Sequence, residues 1–180
     1  MCGTVGVRND ASGMKGALTW VDAMRAGDWP SVSAIYEEGL ATRNASFETD
    51  LPGWPAWDEH HLPVCRLVAR SDGQVLAWAA LSAVSRRAVY AGVAEASTYV
   101  AAAARQRGIG TLLLSALVAA SERQGFWMLQ ASIFPENGAS LRLHRRCGFR
   151  EVGVRRRIAQ LDGVWRDTIL LERRSSVVGV

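Results

Sequence analysis

Apolar positions along the chain switch between a two-residue and a helical period, and each switch marks an element. Leu18 to Met24 reads as a short strand. Asp28 then stands before Trp29-Pro30, which predicts an N-cap side chain with proline in the first turn. Val32, Ile35, Tyr36 and Leu40 follow at helical spacing, so a first helix is expected to run to about Arg43. Phe47 to Pro63 carries three prolines and two tryptophans, and predicts a loop with at most a short helix near Trp57 to His61.

Two β-rich runs come next, Cys65 to Arg70 and Gln74 to Val84, with Asp72-Gly73 between them as a hairpin signal. A basic loop from Ser85 to Gly92 leads into a strand over about Val93 to Ala101. Ile109, Leu112, Leu113, Ala116, Leu117 and Ala120 share one side of a helix over Gly108 to Gln124, stopped by Gly125. Phe126 to Phe134 predicts a buried strand, and Asn137 to Arg146 a helix closed by Gly148. Val152 to Leu161 and Val164 to Glu172 flank Asp162-Gly163 as a second hairpin. The order describes an α/β (α+β) fold with a mixed, largely antiparallel central sheet flanked by helices.

Composition narrows the class. A chain of 180 residues, 49% hydrophobic and 21% charged, suits one soluble domain. No apolar run approaches the roughly 20 residues that span a bilayer, so no membrane partner is expected. Residues 1–16 lack a signal-peptide pattern and read as a flexible leader, with residues 175–180 as a tail. The net charge of +4 is spread along the chain without a basic, aromatic-interleaved patch, which argues against nucleic acid. Arg155-Arg156-Arg157 is the densest cluster and reads as a solvated strand face, or else as a site for an anionic ligand. Cys2, Cys65 and Cys147 have neither disulfide nor metal-ligand spacing, which points to a reducing compartment, the cytoplasm, and to no metal. His60-His61, with no third ligand nearby, read as structural.

The chemistry-bearing segment is Arg105-Gln106-Arg107-Gly108-Ile109-Gly110-Thr111, between a strand and the long helix. Two glycines let backbone approach a ligand, and a helix start offers unpaired N–H groups to an anion, with Arg105 and Arg107 adding charge. The same glycines also suit a plain strand-to-helix turn. The segment lacks the ending of a P-loop and the spacing of a dinucleotide fingerprint. In the strand before it, Glu95, Ser97 and Tyr99 share a face, and a mid-strand glutamate is a candidate proton acceptor or a solvent-facing residue. Asn137 and His144, two helical turns apart, share a face of the later helix, where N-capping and packing roles are the alternatives.

Together these residues resemble a family. The Arg105 to Gly110 loop after Thr98-Tyr99-Val100 is similar to the acyl-CoA-binding signature of the GNAT acetyltransferases, most of all the phosphinothricin and methionine-sulfone acetyltransferases. Ala34-Ile35-Tyr36, Ala45-Ser46-Phe47-Glu48, Glu95 to Val100, Glu136 to Ser140 with Leu143-His144, Gly148-Phe149 and Gly163 to Thr168 extend the likeness over about Leu18 to Glu172. It implies a single N-acetyltransferase domain over 17–174, using acetyl-CoA as co-substrate and pairing as a homodimer. Thr98, Tyr99 and Val100 would pair with the pantetheine arm. The amides from Arg107 through Gly108, Ile109 and Gly110 to Thr111 would hold the diphosphate beside Arg105 and Gln106. Asn137, with Ser140, would bond the pantetheine amides. Glu95 matches the general base and His144 the histidine that assists proton transfer. Arg87 and Tyr90 match positions that contact a small amine substrate, with Phe47 and Trp165 on the pocket wall. The likeness is poorest over Phe47 to Pro63, which helps to shape that pocket.

Overall fold

The computed structural model describes residues 5–7 and 18–180. It holds four α-helices and eight strands: β1 (Val5–Val7), β2 (Thr19–Ala23), α1 (Trp29–Ala41), α2 (Trp54–His60), β3 (Leu67–Ser71), β4 (Gln74–Ala83), β5 (Val93–Val100), α3 (Ile109–Arg123), β6 (Met128–Ile133), α4 (Gly138–Arg146), β7 (Arg150–Leu161) and β8 (Val164–Arg174). One sheet runs β1-β2-β3-β4-β5-β6-β8-β7, antiparallel throughout except for β5 against β6. The expected leader lies outside the described residues, save that Val5–Val7 pairs with β2 as an edge strand.

Alternation along β4 explains the layering. Ala77, Ala79 and Leu81 pack with Leu113, Leu114 and Leu117 of α3, while Trp78 and Ala80 on the opposite face pack with Val32, Ile35, Tyr36 and Trp57 of α1 and α2. A strand with both faces buried belongs in the middle of a sheet. Both Asp-Gly pairs form the expected hairpins. Asp72 and Gly73, like Asp162 and Gly163, have positive φ at both central positions, as a tight hairpin turn requires.

Several boundaries differ from the expectation for physical reasons. The Asp28 side chain does not cap α1. Its Oδ2 accepts from Arg25 N at 2.7 Å and Arg70 Nη2 at 2.6 Å. Burial alone would raise its pKa, but these bonds and the two guanidiniums hold the carboxyl below its ordinary value. Helix α1 ends at Ala41, because Arg43 is left-handed at φ 52°. Strand β3 starts at Leu67, since Cys65 at φ 59° leaves the extended region. The short helix expected near Trp57 to His61 begins three residues earlier, at Trp54, with Pro55 in its first turn. His61 is structural, as expected: it is buried, stacked at 4.2 Å on Trp57, with Nδ1 at 2.8 Å from Trp57 O.

Candidate active site

The site originates where two strands part. β5 and β6 pair in parallel only from Val93↔Met128 to Glu95↔Gln130, and then diverge. β4 stays paired with β5 as far as Val100, so beyond Glu95 the other edge of β5 faces open space. Ala101 N–H donates to Leu76 O on the β4 side at 2.9 Å. Alternation therefore turns the backbone groups of Val100 and Thr98 toward the gap. Val100 O already takes Arg105 Nε there at 3.2 Å, and Thr98 Oγ1 is buried with no partner.

The gap is a cleft of about 740 Å³ bounded by β5, the end of β6, the starts of α3 and α4, and the segment after α1. That volume lies within the usual range for small-molecule sites. At one end, Gly108 is the left-handed N-cap of α3 (φ 77°), and no side chain caps the helix. The first intrahelical bond is Leu112 N to Gly108 O, so the amides of Ile109, Gly110 and Thr111 have no helical acceptor. Gln106 is left-handed as well (φ 62°). Gly110 allows a close approach: a Cβ there would stand 3.2 Å from Leu143 and 3.5 Å from Val100. Arg105, Arg142 and Arg146 line this cleft and give it a positive border. These groups suit a diphosphate.

Toward the other end stands Glu95, whose Oε2 accepts from Gln130 Nε2 at 3.0 Å. His144 also lines the cleft, 3% exposed, with Nδ1 at 2.9 Å from Ser140 O. A carbonyl only accepts, so Nδ1 carries the hydrogen and Nε2 is a bare acceptor, buried and unpartnered. Burial lowers the His144 pKa, and the bond to Ser140 offsets part of that effect. The ring is therefore neutral at pH 7. Asn137 does cap α4, its Oδ1 accepting from Ser140 N at 3.1 Å, while Nδ2 reaches across to Asn44 O at 2.8 Å. Tyr99 stacks on Trp78 at 4.7 Å and meets Tyr36 edge-on, and its burial raises the phenol pKa. Phe47 meets Phe134 edge-on at 4.9 Å on the cleft wall.

Of the residues expected from sequence, Phe47, Glu95, Thr98, Tyr99, Val100, Arg105, Gln106, Gly108, Ile109, Gly110, Thr111, Asn137, Ser140 and His144 line this one cleft. Four do not. Arg107 stays off the wall that its neighbours form. Arg87 and Tyr90 pack on each other, 5.6 Å from guanidinium to ring centre, in the turn before β5. That turn is pinned at the closed end of the strand pair, where Gly92 O accepts from Trp127 N and Met128 N. Trp165 is 55% exposed near the tip of the β7–β8 hairpin, paired with Gln160. Sequence reasoning missed Thr42, Asn44, Arg142, Arg146 and Thr168, all on the cleft wall. The basic run on α4 was the available signal for the arginines. Thr168 is 3% exposed with an unpartnered hydroxyl, and only the fold reveals that.

Residues 29–149 match the acetyltransferase (GNAT) family. The chain belongs to that family. Phosphinothricin N-acetyltransferase of Alcaligenes faecalis is 34% identical over 159 residues, covering 85% of this chain and 81% of the relative. An L-methionine sulfoximine/L-methionine sulfone acetyltransferase of Pseudomonas paraeruginosa is 31% identical, covering 81% of this chain and 88% of the relative. Among solved structures, a GNAT superfamily phosphinothricin acetyltransferase from Sinorhizobium meliloti in complex with AcCoA superposes with a TM-score of 0.81 at 28% identity, covering 89% of this chain and 90% of that one. As a GNAT acetyltransferase the chain is an acetyl-CoA-dependent N-acetyltransferase. The bare amides of α3, the open edge of β5 and the orphaned Thr98 hydroxyl fit such a co-substrate. Among the described residues no group of three His, Cys, Asp or Glu could hold a metal ion, and no helix is long and apolar enough to cross a membrane.

Proposed function

We propose that this chain acetylates the α-amine of a small amino-acid-like acceptor, of the phosphinothricin or methionine sulfone and sulfoximine type, by direct attack in a ternary complex. The observation that carries this is one cleft with an anion-binding helix start at one end and a carboxylate, Glu95, where β5 and β6 part. Acetyl-CoA would supply the acetyl group as a thioester, its sulfur leaving as thiolate and taking up the second proton shed by the acylated nitrogen. The chain's own residues do the rest. Arg105 and the amides of Ile109 to Thr111 hold the diphosphate, and the outward edge of Thr98 and Val100 aligns the pantetheine arm. Asn137 keeps its capping acceptor and turns Nδ2 from Asn44 to the pantetheine.

The amine arrives as an ammonium without a lone pair, so a proton must leave before attack. Glu95 takes it, directly or through water, a contribution of roughly 10²–10⁴-fold in such reactions. Neutral His144 offers a lone pair at Nε2 and accepts a hydrogen bond or proton there. The Val100 N–H faces the gap and steadies negative charge building on the carbonyl oxygen. Phe47 walls the acceptor, and Arg87, Tyr90 and Trp165 serve it only from outside the cleft of their own chain.

The same reading makes the working unit a cytoplasmic homodimer of one domain over 17–174, with a leader before it and a tail over 175–180. Val152, Val154, Ile158, Val164 and Trp165 are exposed on the terminal hairpin and suit self-association. Release of CoA thiol from acetyl-CoA, measured with phosphinothricin, methionine sulfone, methionine sulfoximine and unmodified amino acids, tests the acceptor class. Turnover with the analogues is expected. Turnover confined to peptide N-termini or polyamines would overturn it.

A further inference from the structure

Sheet register places four polar side chains in one row across the face that carries Glu95. Ser82 of β4 stands opposite Glu95, Glu95 opposite Gln130, and Gln130 opposite Glu172 of β8. Residues directly opposite in a sheet point to the same face. Glu172 is occupied by Arg150 in an ion pair. Gln130 is half-buried and gives its amide N–H to Glu95 Oε2 at 3.0 Å. Leu129, Ala131 and Ile133 on the opposite face of β6 join the core, whereas Gln130 faces a carboxylate at the last rung before the strands separate.

We propose that Gln130 is a positioning residue for the reaction: its amide holds the Glu95 carboxylate at the mouth of the cleft, leaving one oxygen for the acceptor's proton. The proposal rests on Glu95 acting as the base. An unrestrained glutamate at this rung has three rotatable bonds and an open gap on one side. One donated bond from the paired strand removes most of that freedom. Loss of a hydrogen bond to a charged group is enough for about a tenfold or larger effect on rate.

Gln130→Met keeps length and shape and removes the donor. Gln130→Glu keeps the shape and sets a second carboxylate against the first. Both are measured for kcat, KM and melting temperature, alone and combined with Glu95→Gln. The expected result is a kcat about tenfold lower in Gln130→Met and lower still in Gln130→Glu, with KM for acetyl-CoA unchanged. In the Glu95→Gln background, Gln130→Met is expected to cost nothing further in kcat, because the group it positions is already gone. Equal, multiplicative losses in both backgrounds would overturn the proposal, as would wild-type kcat in Gln130→Met. A loss of melting temperature that fully tracks the loss of kcat would assign Gln130 a merely structural part and overturn it as well. If Glu95→Gln itself turns over normally, the base assignment fails first and takes the positioning role with it.

Discussion

His61 and His144 are both buried and both neutral, yet only one faces the cleft. His61 lies among Trp57, Trp78 and His60, and burial lowers its pKa from 6.5 to about 4, with the bond to Trp57 O resisting that shift. Unfolded, the ring binds a proton below about pH 6.5; folded, it does so only below about pH 4. Between those values the unfolded state holds more protons, so stability is complete above pH 6.5 and falls as the pH drops toward 4. The loss attributable to His61 is about 3 kcal/mol across that window. Urea unfolding at pH 7 and pH 4.5 is expected to show this decline, and His61→Phe to flatten much of it. A pH-independent midpoint in the wild-type protein would contradict the assignment. His144 differs in that it lines the cleft while its buried Nε2 has no hydrogen-bond partner.

Helix α1 approaches β5 most tightly at Gly39. A Cβ at Gly39 would stand 2.6 Å from the Tyr99 ring, and that ring is held by Trp78 and Tyr36. Gly39→Ala should therefore cost about 1–3 kcal/mol by overpacking, offset in part by better helix propensity. Gly27, where an added methyl would meet nothing within 4 Å, is the control, and Gly27→Ala is expected to be near neutral by denaturant unfolding. If both variants unfold alike, the α1–β5 contact is not what the geometry says. The elements themselves were legible in sequence wherever periodicity and turn chemistry agreed, as at both Asp-Gly hairpins and at α3 with its glycine entry. The cleft was half legible. Motif residues on β5, the α3 loop and α4 were readable because each motif is local. Thr168, Asn44 and Gln130 were not, because the placing of β8 beside β6 brings Thr168 to the cleft, the turn after α1 brings Asn44, and the parallel rung of β5 and β6 sets Gln130 against Glu95. Arg87 and Tyr90 lie off this cleft because adjacency to β5 in sequence puts them at its closed end.

At the scale of the molecule, one irregularity organises the rest. A sheet paired continuously from β4 to β8 would have no cleft; three rungs between β5 and β6 followed by separation create one. That gap joins the helix start, where an anion is favoured, to Glu95, where a proton can be taken. The family match covers this region, and the match to a solved AcCoA complex extends over most of the chain. The most direct test of the arrangement is the turnover of Glu95→Gln beside its affinity for acetyl-CoA, measured on one preparation. Turnover is expected to fall by roughly 10²–10⁴-fold while acetyl-CoA binds as tightly as to the wild type. Unchanged turnover, or a loss of acetyl-CoA binding that accounts for the whole effect, would contradict it.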